Sequence, residues 1–473
     1  MTIAEQPEWT AIILAAGEGT RMKSTRAKVL HEVAGRALVS WVIDAALAAG
    51  AKRCVVVVGH QREEVERELE AQFGNQVETA VQPEQRGTGD AVRCALEAQP
   101  GLDGRVVVLY GDCPMIPDET IRGLVADAHE RGAELGLITA THPHPHGYGR
   151  ILRDPDGRVT GIAEERDCTA TQREITEINP GIYDIDVRFA REAIASLQPN
   201  NAQGQLYLTD LVALAAGRGP VASVPGRMED LFGVNDPHDL AVCEARRRLQ
   251  IAESLARNGV RVVDLNTLYV DADCEVEAGA TLGAQVHLRG RTVVRAGASV
   301  DTGCVLRDVV VEANAAVLPY SVATDSTIGE GARLGPFSHL RPGSILGPRS
   351  KVGNFSETKK TSLGEGSKVN HLSYVGDGKI GAGVNIGAGT IFCNYDGEQK
   401  HETVIGDGVF IGSDSQLIAP LEIGRGAYVA SGTTVTRDVP EDALAVSRVR
   451  QDNKKGYAAK LRARLRRKKA KDS

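Results

Sequence analysis

Aromatic residues make up only 4% of this 473-residue chain, too few for a surface that recognises nucleic acid by stacking on bases. No apolar run reaches the roughly 18 residues that a membrane-spanning helix needs. The opening MTIAEQPEWT has no basic segment followed by an apolar stretch, so no secretory signal is expected there. The eight cysteines (Cys54, Cys94, Cys113, Cys168, Cys243, Cys274, Cys304 and Cys393) are scattered and form no CxxC pair. They read as reduced thiols of a cytoplasmic protein, not as a disulfide or zinc framework. A Walker-type GxxxxGK[ST] is missing too.

What the chain does have is length, uneven charge and rhythm. At 473 residues it exceeds one ordinary core, and two or more domains are expected. Residues 454–473, KKGYAAKLRARLRRKKAKDS, carry ten Lys or Arg against one Asp. The remainder holds 45 basic against 61 acidic residues, a net charge of −16 behind an overall −7. Such a tail can hold nucleic acid or anionic lipid; as a run of like charge it is expected to be solvated and partly disordered.

From residue 10 to about 235, short branched runs alternate with amphipathic segments. AIILAAG, CVVVVGH, RVVVLYGD and ELGLITA suit strands buried in a mostly parallel sheet, with segments such as VSWVIDAALAAG as helices. That order predicts an α/β, Rossmann-like domain over 1–235, with ligands at the carboxyl ends of its strands. Residues 236–259 read as one linker helix, with Asp236 as N-cap, Pro237 in the first turn and Gly259 at the end. From 260 the period becomes six. Val270, Val276, Leu282, Leu288, Val294, Val300 and Leu306 hold one phase, as do Ile328, Leu334, Leu340, Leu346 and Val352. Ile405, Ile411, Leu417, Ile423, Val429 and Val435 resume it, and a small residue commonly sits four further on. Hexapeptide repeats of this kind stack as a parallel β-helix, here of about ten coils from roughly 180 residues within a domain over 260–473 that ends in the basic tail. The phase slips near 306–328 and 352–405, and the second slip holds FCNYDGEQKHE, which suits an extruded loop.

The glycine-rich turn in TAIILAAGEGTRMKSTRAKVL, residues 10–30, comes after a strand and precedes Arg21 and Lys28. Its N–H groups can face an anion; taken alone it could equally be a helix-capping turn among surface cations. The motifs downstream of it are more specific. VQPEQRGTGDA, LYGDCPMI and GYGRI come next in order, and EINPGIY, NNAQGQLYLTD and GVND complete the set. This series resembles the sugar-nucleotide pyrophosphorylases. Fused to a hexapeptide helix, it resembles the bacterial bifunctional N-acetylglucosamine-1-phosphate uridylyltransferase/glucosamine-1-phosphate N-acetyltransferase family over residues 10–450. The repeat half carries RPGS, VGNFSETKK, KVNHLSYVGD, NIGAGT and CNYDG in support.

The resemblance implies two reactions: acetyl transfer from acetyl-CoA to glucosamine 1-phosphate, then uridylyl transfer from UTP, giving UDP-N-acetylglucosamine for peptidoglycan and lipopolysaccharide synthesis. It also implies a homotrimer and a left-handed β-helix. Asp112 and Asn235 would hold Mg²⁺. Leu14, Ala15, Ala16 and Gly17 would contact the nucleotide, Lys28 its phosphate, and Gln82, Gly87 and Thr88 the uracil. Tyr110, Gly111, Gly149, Glu164 and Asn179 would border the sugar. In the repeat half, His371 would be the base that takes the amine proton, with Glu357 orienting its ring. Arg341 and Lys359 would meet the sugar phosphate, Tyr374 and Asn385 the sugar. Ala388, Asn394, Tyr395, Ser413, Ser431 and Arg448 would bind acetyl-CoA. Four positions depart from the family pattern: Ala27 for Pro, Pro180 for Thr, Asn370 for Gly and Ser431 for Ala. The competing readings are a single-activity pyrophosphorylase whose solenoid is a spacer, and a nucleic-acid or membrane scaffold built on the basic tail.

Overall fold

The computed structural model describes residues 8–199, 201 and 203–470. Asn200 and Ala202 of NNAQGQLYLTD, and residues 471–473 of the basic tail, lie outside the described residues. The chain divides into two compact units, Met1–Ile251 and Ala252–Ser473. All eight cysteines are unpaired. Among the described residues no helix is long and apolar enough to cross a membrane.

The first unit is built on the expected branched runs, which form β1 (Trp9–Leu14), β2 (Arg53–Val58), β3 (Val77–Val81), β4 (Arg105–Tyr110) and β5 (Leu135–Thr141). β6 (Gly149–Arg153), β7 (Val159–Ala163), β8 (Glu177–Asn179), β9 (Tyr183–Asp186) and β10 (Ala222–Pro225) complete the sheet. Its order is β3-β2-β1-β4-β9-β5-β8-β6-β7, with β10 beside β5. β1 pairs in parallel with β2 and β4, Ile12 opposite both Val55 and Val108. Helices cover both faces, which is why these runs are apolar without alternation. On one side α1 (Leu38–Ala48), α2 (Arg62–Phe73) and α4 (Asp118–Glu130) pack Val42, Ile43, Val65, Leu69, Ile121 and Leu124 against Ile13, Val56 and Val107. On the other, α3 (Thr88–Ala98) and α5 (Val187–Ser196) pack Val92 and Phe189 against Ile12, Val55 and Val108. β9 runs antiparallel between β4 and β5. Its buried Asp184 accepts from Arg105 Nε at 2.9 Å, while Arg105 Nη1 donates to Ala133 O at 3.0 Å.

Helix α6 (Asp210–Ala216) comes after the LYLTD segment, and α7 runs Pro237–Arg257. Asp236 caps α7, its Oδ1 accepting from the His238 and Asp239 N–H groups at 2.9 Å.

The second unit is a parallel β-helix whose coils repeat every 18 or 17 residues, as in Tyr269 opposite His287 and Val305 opposite Val322. Among the described residues, eleven strands stack on one face, and a 17-stranded sheet folds over the other two. Of the hexad residues, all but Val276 are buried. The first slip has a simple cause: the steps Leu306–Val311 and Ala323–Ile328 are five residues long instead of six. The second slip repeats the device at Thr358–Leu363 and Val375–Ile380, and then inserts the loop after Phe392. Each five-residue step turns its corner on a left-handed residue, Asp308, Asp325, Lys360 and Asp377, with φ between 42° and 55°. A left-handed residue makes a tighter corner, and Asp tolerates that conformation better than most side chains.

The three corners of the prism differ. One carries Tyr320, Phe337, Phe355 and Leu372 at successive coils, all with positive φ and all at least half exposed. Their rings stack, Tyr320 on Phe337 at 5.4 Å and Phe337 on Phe355 at 5.6 Å. Small hydroxyl residues fill the tight positions inside, as where Ser367 Oγ donates to Gly381 O at 2.7 Å.

Candidate active sites

In the first unit the chain leaves β1 toward β2 on one side and later returns as β4 on the other. A crevice must open at that switch, where strand ends diverge. A cavity of about 490 Å³ lies there, lined by thirteen of the expected residues: Leu14, Ala15, Ala16, Gly17, Lys28, Gln82, Gly87, Thr88, Tyr110, Asp112, Gly149, Glu164 and Asn179. Gly111 ties the two strand ends together, its N–H donating to Leu14 O at 3.0 Å. Asn235 lines an adjoining hollow with Asp112, Arg21 and His146.

Charge is concentrated where these two spaces meet. Lys28 Nζ pairs with Asp112 Oδ2 and donates to Asn235 Oδ1 at 3.1 Å. Arg21 Nη2 donates to the same amide oxygen at 2.8 Å. Asn235 is held for this contact, because its Nδ2 donates to Gly233 O at 2.9 Å and its N–H to Asp239 Oδ2 at 3.0 Å. A carboxylate and an amide oxygen therefore converge on one cationic point, a donor set that fits a hard divalent cation. Gly19, at φ 60°, lets the Lys28 stem cross the loop; a Cβ there would sit 2.5 Å from Lys28 Cβ. The carboxylates of Asp236 and Asp239 nearby are committed to the start of α7 and to Asn235.

The rest of the cavity is neutral and shaped. Gln82 is buried and donates to Gly87 O at 3.1 Å and Asp90 Oδ2 at 2.9 Å. Thr88 Oγ1 accepts from Leu208 N at 3.2 Å, tying the start of α3 to the LYLTD segment. Burial pushes the Glu164 carboxyl above its ordinary pKa, partly opposed by Thr209 Oγ1, which donates to it at 3.0 Å. The Tyr110 phenol is also raised, by burial first and the Glu164 charge next, so it stays a neutral donor. Asn179 is fixed by Tyr183, its Nδ2 donating to the phenol oxygen at 2.6 Å and its Oδ1 accepting from Gly181 N at 3.0 Å. Pro180 supplies none of these bonds, so the departure from Thr leaves Asn179 in place. Ala27 sits at φ −53° and ψ 135°, the conformation proline would impose.

In the β-helix the face between the aromatic corner and the Asp377 corner carries Arg341, Glu357, Lys359 and Tyr374, with Glu357 directly opposite Tyr374. His371 lies in the turn leading into this face and is exposed. Its ring partner is Asn354, Nδ1 lying 2.7 Å from Oδ1. Glu357 does not orient the ring as expected; it pairs with Arg341 Nη1 at 2.8 Å. A neutral imidazole that turns its Nδ1–H toward an amide oxygen offers Nε2 as a proton acceptor. At the far edge of the face, the Lys400 ammonium holds Lys359 below its ordinary pKa, with a smaller effect from Arg341. Cations crowded this way are a site for a multivalent anion.

The acetyl-CoA candidates fall in two places. Backbone bonds descend the aromatic corner from coil to coil: Gly389 N to His371 O, Asp414 N to Ala388 O, Gly432 N to Ser413 O. Arg448 Nη1 continues them to Ser431 O at 2.6 Å. Ala388, Ser413, Ser431 and Arg448 thus succeed His371 along one edge. Asn394 and Tyr395 belong instead to the extruded loop at the opposite edge, where Asn394 Nδ2 donates to Asp377. Asn385 lies on the eleven-stranded face, paired with Lys368 and Phe410, around the corner from Tyr374. Asn370 has no positive φ, so its side chain strains no backbone there.

Sequence motifs alone did not single out Gln85, whose Nε2 donates to Ala16 O at 2.9 Å, or Thr209. Nor did they single out Asn354 and Lys400. All four sit inside the motif segments or the extruded loop, but their roles depend on partners far away in sequence.

The MobA-like NTP transferase domain model matches residues 11–175, and the model of bacterial transferase hexapeptide (six repeats) matches 402–437. The chain is 54% identical over 469 residues to the bifunctional protein GlmU of Sorangium cellulosum, covering 98% of this chain and 99% of that one. It is 48% identical to GlmU of Anaeromyxobacter dehalogenans, over 96% of this chain and 93% of the relative. It is 45% identical to GlmU of Geobacter sulfurreducens, over 96% and 98%. With a nucleotidyltransferase sheet and a hexapeptide β-helix arranged along nearly the full length of these relatives, the chain belongs to the bifunctional GlmU family.

Proposed function

We propose that the chain makes UDP-N-acetylglucosamine in two steps at two separate sites. On the β-helix, the amine of glucosamine 1-phosphate attacks the thioester carbonyl of acetyl-CoA. His371 Nε2 takes the amine proton and passes it to sulfur as the C–S bond breaks, so coenzyme A leaves as the thiol. Arg341, Lys359 and Lys400 hold the sugar phosphate across the same face, beside Tyr374. In the first unit, a phosphate oxygen of N-acetylglucosamine 1-phosphate attacks the α-phosphorus of UTP and pyrophosphate departs. That step needs alignment and charge neutralisation more than covalent help. Lys28 and Arg21 supply cations, Gln82 and Thr88 bound the base end, and Glu164 and Asn179 bound the sugar. Asp112 and Asn235 would hold Mg²⁺, which neutralises charge on the reacting phosphates.

The observation that carries this reading is the pairing of two unlike anion sites in one chain: oxygen donors with Lys28 in one unit, and in the other a face entered through His371 that carries cations at its far edge. Support for a homotrimer comes from the corner ladder Tyr320, Phe337, Phe355 and Leu372. It exposes stacked apolar groups and leads directly into the edge bearing His371, Ala388, Ser413 and Ser431. Asn385, Asn394 and Tyr395 stand apart from His371 in one chain, and a neighbouring copy seated on that corner would complete the acetyl-transfer site. A cytoplasmic location fits eight unpaired cysteines, and the product would serve peptidoglycan and lipopolysaccharide synthesis.

The test is an assay of purified protein with glucosamine 1-phosphate, acetyl-CoA, UTP and Mg²⁺. UDP-N-acetylglucosamine should form, and omitting acetyl-CoA should stop it. Supplying N-acetylglucosamine 1-phosphate should restore it without acetyl-CoA. If acetyl-CoA is never consumed while that last reaction runs, the spacer reading of the β-helix replaces this one.

A further inference from the structure

We propose that the helix α8, Tyr457–Lys469, docks on the surface of an anionic phospholipid bilayer. The tail was expected to be partly disordered; residues 457–469 instead form a helix with no buried residue. It is 13 residues long, which corresponds to about 20 Å. Seven of them are Lys or Arg and none is acidic. Tyr457, Leu461 and Leu465 recur every four residues and so share one side. They remain 55%, 41% and 57% exposed. Lys460, Arg462, Arg464, Arg466, Arg467 and Lys469 occupy the flanks and the opposite side, and Lys468 ends the apolar stripe one turn beyond Leu465.

Two features decide the partner. The chain outside the tail is acidic, so this cation cluster is a local device and not part of a generally basic surface. A narrow apolar stripe between rows of cations, with an aromatic ring at one end, suits a helix lying in the headgroup layer. There the leucines reach the acyl boundary while the basic side chains stay among anionic headgroups. Nucleic acid would attract the same cations but offers Leu461 and Leu465 nothing to enter. No residue of α8 belongs to either candidate active site, so this inference stands apart from the catalytic reading.

The experiment is flotation of the full-length protein with vesicles of phosphatidylcholine alone or rich in phosphatidylglycerol. The protein should rise with the anionic vesicles only, and added salt should release it. Leu461→Ser with Leu465→Ser, which leaves the charge unchanged, should weaken partitioning about tenfold or more. Arg462→Gln, Arg466→Gln and Arg467→Gln together should weaken it roughly a hundredfold, at about fivefold per cation. Both enzyme activities in solution should be unchanged in each variant. Failure to float with anionic vesicles overturns the proposal, as does a double leucine variant that partitions like the parent. Tighter retention on duplex DNA than on vesicles at equal salt, unaffected by the leucine changes, would assign the helix to nucleic acid instead.

Discussion

Replacing two rings of the corner ladder, Phe337→Asp with Phe355→Asp, separates the two halves of the proposed chemistry. An aromatic side chain buries about 150–250 Å² when covered. Phe337 and Phe355 are 50% and 57% exposed, leaving about 100 Å² of each for a neighbouring copy. At roughly 25 cal/mol per Å² their coverage contributes about 5 kcal/mol per subunit. Losing it lowers the association constant by more than about a thousandfold. The fold itself should tolerate the change, because the same β-helix already places Asp308, Asp325, Asp377 and Asp414 at left-handed corners. Sedimentation velocity should show monomers, and thermal unfolding should show little loss. Acetyl transfer should then fall with dissociation while uridylyl transfer persists. A variant that stays oligomeric, or a monomer that acetylates at the parental rate, would refute the idea that this corner completes the acetyl-transfer site.

His371→Ala should reduce acetyl transfer by about a hundredfold to ten-thousandfold and leave uridylyl transfer untouched; coupled assays of the two steps on one preparation check this. Asn354→Ala should cost less, because the imidazole remains and loses only the side chain that holds its Nδ1 at 2.7 Å; the same coupled assays check this. Gly181→Ala places a methyl 2.2 Å from Tyr110 Cε2 on a backbone at φ 89°. It should drive the ring out of the nucleotide cavity and lower uridylyl transfer selectively, measured as pyrophosphate release.

The core of both units was legible because it depends on local repetition. Ile12, Val55 and Val108 announce a doubly covered sheet by lacking alternation, and the hexad residues announce a coil by recurring. The slips were visible as slips, yet their cause was not. Nothing in DVV or DST states that Asp308 and Asp325 shorten a step by one residue; that depends on the coil above and below. β9 was hidden for a related reason, since YDID alternates weakly and gains its place only between β4 and β5. At the sites, motif residues such as Asp112 and His371 were readable, whereas their partners were not. Glu357 was expected to orient the histidine ring. In the folded chain its coil-to-coil neighbour Arg341 takes the carboxylate, and Asn354, one coil above the ring, takes the imidazole.

The β-helix joins each coil only to those directly above and below it, so its energetics are those of a stack of tiles. A tile lifted out whole closes the gap. Excising the 18 residues from Val276 to Val293, one complete turn of the prism by the Tyr269–His287 spacing, should shorten the column without rotating anything beneath it. Acetyl transfer would then persist in a shorter molecule, whereas removing about 16 residues would throw every lower side chain out of phase and abolish it.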